Sequence, residues 1–217
     1  MEQYFIQFSL LILLLPLAAF AVQIFFGKRL PRQGDWVSIG AVGFTLVLSL
    51  IMFATMLSSY DSGFSKEASF TWIDMGSFSI QLGFLIDNIT IIMLVVVALI
   101  STCTHIFSLE YMAGDIRYSR YFAYLGLFTF SMNGIVLANN LISMYMSWEL
   151  VGVSSYLLIG HWFEKDTAAN AGKKAFLTNR VGDIGFFIGI MLLYTAVGSF
   201  MFSDIFKGCL LYTSDAA

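Results

Sequence analysis

Six runs of about twenty residues, each with few or no charges, dominate this chain, and few folds can accept such runs. A helix needs about 20 apolar residues to cross the hydrocarbon core of a bilayer, where every backbone N–H and C=O must be satisfied inside the protein. The runs near 4–25, 36–58, 88–110, 121–138, 141–162 and 169–197 therefore read as membrane helices. Composition agrees: of 217 residues, 59% are hydrophobic and 12% charged, whereas about a quarter of a soluble domain is charged. So much apolar surface excludes disorder. A net charge of −3, with no cluster of Lys and Arg among aromatics, gives no case for nucleic acid. The expected fold class is an all-α polytopic membrane protein with about six transmembrane helices.

The first run is too long for a signal-peptide core, and Glu2 stands where a signal would carry Lys or Arg. Pro16 should bend that helix by removing one backbone hydrogen bond. Residues 60–87 are more polar. From Ser77 to Phe84 small or polar residues alternate with Phe78, Ile80, Leu82 and Phe84. Period two is the mark of a strand with one wet face. Together with Phe70-Thr-Trp-Ile73 before Gly76, it predicts a small β-hairpin outside the membrane, near 69–85. Asn139-Asn140 predict a tight turn, and Asp87 a cap at the start of the third helix.

Basic residues set the expected orientation. The loops after helices one, three and five, with the start of helix six, hold eight (Lys28, Arg29, Arg32, Arg117, Arg120, Lys165, Lys173 and Lys174), against Lys66 alone in the loops after helices two and four. By the positive-inside rule those three loops face the cytoplasm, leaving the N-terminus and the hairpin outside.

An ionisable group inside a bilayer costs roughly 2.5–3.5 kcal/mol on insertion scales, so each one calls for an explanation. Glu149 lies near the middle of the fifth helix, about 12 Å along the axis from Leu141 at about 1.5 Å per residue. Tyr145, Gly152 and Tyr156 share its face, and no Lys or Arg lies on that helix. Hydrocarbon disfavours the charged carboxylate and a neighbouring cation favours it. A group between those influences can load and release a proton; a neutral Glu can also serve as hydrogen-bonding glue. On the sixth helix Lys173, Arg180 and Asp183 fall on one stripe, with Arg180 and Asp183 spaced to pair as i,i+3 neighbours. That pair is structural or a proton relay. Lys173 and Lys174 lie near the interface, where snorkelling competes with a transport role. His105, late in the third helix, is a further candidate, against a role in packing. Gly182, Gly185 and Gly189 signal close packing. Trp148 and Trp162 read as packing or interfacial anchors. No phosphate loop, dinucleotide fingerprint or metal-type spacing of Cys103 and Cys209 points to a catalytic site of the chain's own.

Several stretches carry a resemblance. Ser147-Trp-Glu-Leu-Val-Gly-Val-Ser-Ser-Tyr-Leu-Leu-Ile-Gly160 and Lys174-Ala-Phe-Leu-Thr-Asn-Arg-Val-Gly-Asp183 resemble the most diagnostic segments of the large antiporter-like subunits of respiratory complex I, the NADH:quinone oxidoreductase chain of the L or 5 type. Gly83-Phe-Leu-Ile-Asp-Asn88 and Phe107-Ser-Leu-Glu-Tyr-Met112 fit the same pattern, and the likeness spans residues 1–207. The large subunit of multisubunit cation/proton antiporters is similar over this region. The resemblance implies a proton-translocating subunit of an oxidoreductase, with Glu149, Asp183 and Arg180 as proton-transfer or gating groups and Lys173, Lys174 and His105 behind them. It implies no cofactor or metal in this chain, with NADH, flavin, iron–sulfur and quinone sites in partner subunits. It implies the other membrane-arm subunits, the bilayer, and protons or Na+ as partners, and a bacterial plasma membrane as location. It pairs Glu149 with a lysine on a seventh helix that this sequence lacks. Expected divisions are 1–86 (two helices and the hairpin), 87–207 (the first part of the antiporter-like domain) and 208–217. The last segment, Cys209 to Ala217, resembles translated sequencing adapter, so the natural chain is expected to continue differently.

Overall fold

The computed structural model describes residues 2–58, 61, 63–74 and 79–214. In chain order the elements are α1 (Glu2–Phe26), α2 (Asp35–Ser58), β1 (Ser65–Asp74), β2 (Ser79–Asp87), α3 (Asn88–Tyr111), α4 (Tyr118–Leu137), α5 (Leu141–Ile159), α6 (Asp166–Val197) and α7 (Phe202–Ser214). A helix stands at each of the six expected places. α7, which the sequence reading did not foresee, follows the sixth. Among the described residues five helices are long and apolar enough to cross a membrane, and α4 is the one of the six outside that set. The reason is its position. α4 packs against α1, α3 and α5 and buries Ser119, Thr129, Ser131 and Asn133. A helix surrounded by protein needs little lipid-facing apolar surface.

Pro16 gives this interior its clearest lock. Lacking an N–H, it leaves the carbonyl of Ile12 without its i+4 donor. Asn133 of α4 supplies one: its Nδ2 donates to that carbonyl at 3.1 Å. α4 and α5 approach closely at Gly134, where a Cβ would lie 2.6 Å from the Ser147 hydroxyl oxygen. The α1–α2 connection is tight. Arg32 and Gln33 adopt left-handed backbone (φ 54 and 55), held by Gln23 Nε2 donating to the Gly34 carbonyl at 2.5 Å and by Arg32 pairing with buried Asp35 at 3.1 Å.

The hairpin is longer than the sequence suggested. β1 and β2 pair antiparallel from Ser65↔Asp87 to Asp74↔Ser79, with an irregularity between Thr71 and Ile73. Gly76, Ser77 and Phe78 lie outside the described residues. Ile86 is buried, with Phe84 packed on the same core as Phe5, Met52, Ile91 and Leu94. Further along β1, Phe70 and Trp72 are exposed. Asp87 caps α3 as expected, its Oδ1 accepting from Thr90 N at 2.7 Å.

Asn139 and Asn140 form more than a turn. Asn140 caps α5 by accepting from Ser143 N at 2.8 Å and donates to the Gln81 carbonyl of β2 at 2.7 Å. Asn139 donates to Glu67 of β1 at 2.9 Å. The α6–α7 connection joins the same point through Leu141 N to the Phe200 carbonyl (3.0 Å) and Phe202 N to the Asn139 carbonyl (3.2 Å). A second core of Leu141, Ile190, Phe200 and Ile205 lies beside it. Of the suspected tail, α7 runs through Ser214, and Asp215, Ala216 and Ala217 lie outside the described residues.

Candidate functional site

α5 and α6 are joined by a short loop and run antiparallel. Contacts between Tyr156 and Phe176, Trp148 and Phe186, and Tyr145 and Phe186 step along them in opposite directions. This pairing sets the charged residues. The Arg180 guanidinium donates to Glu149 Oε2 across the helix interface. The Tyr145 hydroxyl, one turn before Glu149, donates to Oε1 at 2.6 Å. Arg180 also lies over the Phe176 ring, 5.0 Å from its centre. Asp183 takes a different partner: Trp148 Nε1 donates to its Oδ1 at 3.1 Å.

Three expectations change here. Arg180 does not close an i,i+3 pair with Asp183, because the α5 carboxylate lies opposite it and takes the guanidinium instead. Glu149 has a cation inside this chain, Arg180, where the expected partner was a lysine outside it. Trp148, expected as an anchor or packing residue, is a hydrogen-bond donor to a buried acid. The site is thus two carboxylates on facing helices, each held by one donor from the other helix. Asp183 is buried, at 6% exposure, while the Glu149 and Arg180 side chains keep 20% and 40% of their surface. A groove of about 570 Å3 opens beside them, lined by Trp148, Gly152, Asn179, Gly182, Asp183 and other residues of both helices.

The remaining candidates lie apart. Lys173 and Lys174 are exposed in the early turns of α6 and make no ion pair among the described residues. His105 is buried between α3 and α4. Its Nδ1 lies 2.8 Å from the Ser101 carbonyl, so that nitrogen carries the proton, and Nε2 has no partner. Ser101 and Thr129 hydroxyls meet beside it at 2.6 Å, on the wall of an apolar cavity of about 340 Å3. His105 shares no hydrogen bond with the α5–α6 group. Among the described residues no cluster of His, Cys, Asp and Glu has the shape of a metal site.

Residues 72–122 match the family model of the N-terminus of NADH-ubiquinone oxidoreductase (complex I) chain 5. Residues 138–215 match the transmembrane model of the NADH:quinone oxidoreductase/Mrp antiporter family. The chain belongs to the complex I chain 5 family. Among relatives of this family, the chloroplast NAD(P)H-quinone oxidoreductase subunit 5 of Anthoceros angustus is 51% identical over 142 residues, covering 65% of this chain and 19% of that protein. The subunit 5 of Draba nemorosa chloroplasts is 44% identical over 83% of this chain and 24% of its own length. That of the Paulinella chromatophora chromatophore is 40% identical over 82% and 26%. The chain thus spans about a quarter of the curated relatives it matches. A chain of the membrane-bound sulfane sulfur reductase, an archaeal respiratory membrane complex, has the same fold, with a TM-score of 0.72 at 16% identity over 91% of this chain and 39% of that one. Glu149, Arg180 and Asp183 all fall inside the second matched segment.

Proposed function

We propose that this chain is part of a proton-translocating membrane subunit of an NAD(P)H:quinone oxidoreductase, and that the Glu149–Arg180 pair is its gate. The carrying observation is the pair itself: an acid and a base on facing helices within membrane spans, steadied by Tyr145 and lying beside the Trp148–Asp183 bond. Separating the pair removes the cation that favours the charged form of Glu149, and the carboxylate then takes a proton. Closing it expels the proton again. Asp183 is a second station, and Lys173, Lys174 and His105 are candidates for the path on either side. A lysine on a further helix, as the family resemblance implies, would compete with Arg180 for Glu149. NADH, flavin, iron–sulfur and quinone chemistry belong to partner subunits in this reading. The loops after α1, α3 and α5 face the cytoplasm or its organellar counterpart.

The test is Glu149→Gln in the full-length subunit within its assembled complex, with electron transfer and proton translocation measured together. Translocation should fall at least tenfold with the complex still assembled; unchanged pumping per electron would overturn the assignment. The second matched family model also covers Mrp antiporters, which sustains one alternative, a cation/proton exchanger. Exchange of Na+ for protons without any electron donor would favour it. If Glu149→Gln harmed assembly while leaving translocation per complex intact, the chain would be a structural scaffold.

A further inference from the structure

A second polar site lies at the arginine-bearing end of the bundle, away from the α5–α6 pair and independent of its role. The first turns of α4 and the last turns of α5 enclose a cavity of about 200 Å3 whose wall includes Arg117, Arg120, Tyr124, Tyr156, His161 and Phe163, and no carboxylate. That is below the roughly 300–1,000 Å3 of sites for drug-sized ligands, and suits a small headgroup. Arg117 is already committed: it pairs with Glu164, donates to the His161 carbonyl at 3.3 Å and lies 4.3 Å from the centre of the Phe163 ring. Arg120 is not. It is exposed and has no counter-ion among the described residues. The hydroxyls of Tyr124 and Tyr156 have no hydrogen-bond partner among them either. The His161 ring is buried at 6% exposure. Its Nε2 makes no hydrogen bond, standing 3.5 Å from Asp115 behind the wall. α4 begins here without a side-chain cap, so its N-terminal dipole adds to the attraction for an anion.

The surroundings name the source of that anion. Ile159, Trp162 and Phe163 are exposed around the mouth, at 46%, 41% and 56%, the aromatic and apolar belt of a helix end at the bilayer surface. Basic recesses between membrane helices at such a level take anionic lipid heads. We propose that this recess binds the phosphate of an anionic phospholipid, with Arg120 supplying the charge, the Tyr124 and Tyr156 hydroxyls donating to phosphate oxygens, and Phe163 and Trp162 flanking the glycerol end.

The test places the intact assembly in nanodiscs containing a photoreactive phosphatidylglycerol. Label should be recovered on peptides spanning residues 117–124 and 156–163. Arg120→Gln should lower it about five-fold, the loss of one cationic contact with an anionic head. Arg29→Gln, the same charge change at an exposed site elsewhere, should not lower it. Tyr124→Phe should lower it by a smaller factor, and it serves as the reading if Arg120→Gln fails to assemble. Unlabelled phosphatidylglycerol should displace the label, and inorganic phosphate at tens of millimolar should not. Equal labelling of the Arg120 and Arg29 variants overturns the site; displacement by inorganic phosphate overturns the lipid as its ligand.

Discussion

At the scale of single residues, the α5–α6 site depends on which donors can be removed without removing a charge. Tyr145 holds one oxygen of Glu149 and Arg180 the other. Tyr145→Phe keeps the ion pair but frees the carboxylate to rotate, so it should slow translocation several-fold without abolishing it, measured as protons moved per electron in the assembled complex. Asp183→Asn is the sharper comparison. An amide oxygen can still accept from Trp148 Nε1, so the packing of α5 on α6 survives while the titratable group is lost. Assembly should remain normal and translocation should fall partly. Trp148→Phe does the reverse: it leaves a buried carboxylate without its donor, at a cost of about 1–3 kcal/mol, and should lower the yield of folded subunit more than Asp183→Asn does.

At the scale of elements, polar locks decide which helices meet. Apolar surface gives membrane helices little drive to associate, because lipid chains are as apolar as leucine. Asn133 and Pro16 show the consequence. Asn133→Leu leaves the Ile12 carbonyl without a donor in the bundle interior and should cost about 1 kcal/mol. Pro16→Ala restores the missing helical N–H to that carbonyl. The double variant should therefore be more stable than Asn133→Leu alone, read as thermal stability of the purified complex; additive losses would show that the bond does not matter. Much of this scale was legible beforehand. Charge-poor runs placed six helices, alternation placed the hairpin, and Asp87 and Asn139-Asn140 marked the α3 cap and the α4–α5 turn. The cross-helix partners were not legible. Spacing along one helix put Arg180 within reach of Asp183, but the choice of Glu149 depends on the antiparallel register of α5 against α6, which no single-helix pattern contains. α7 was missed for a related reason: its apolar residues are too few to span a bilayer, and it is held by Phe200, Ile205 and the Asn139 carbonyl instead.

At the scale of the whole molecule, the two ends of the bundle are closed by different chemistry. At the hairpin end, amide side chains join α4, α5, β1 and β2, and Gly83 permits it: a Cβ there would lie 2.2 Å from the Ala68 carbonyl and 2.7 Å from Asn139 Nδ2. At the arginine end, charges do the joining. Asp115 in the α3–α4 loop accepts from Trp162 Nε1 at 2.8 Å and from Arg117 N at 2.6 Å, tying that loop to the one after α5. Partial burial alone would raise the Asp115 carboxyl, but the bonds from Trp162 and Arg117 and the nearby His161 outweigh it and hold the group below its ordinary 3.8. A carboxyl held low stabilises the folded state at pH values above its unfolded one, and that contribution disappears as pH falls through the lowered value. The tie between the loops should therefore be intact at neutral pH and loosen only below about pH 4. Hydrogen exchange at residues 112–117 and 160–165 of the intact complex should rise there together. In Asp115→Asn the same amides should exchange faster already at neutral pH, and the acid step should vanish, because an asparagine has no proton to gain. Persistence of that step would assign it to an acid other than Asp115.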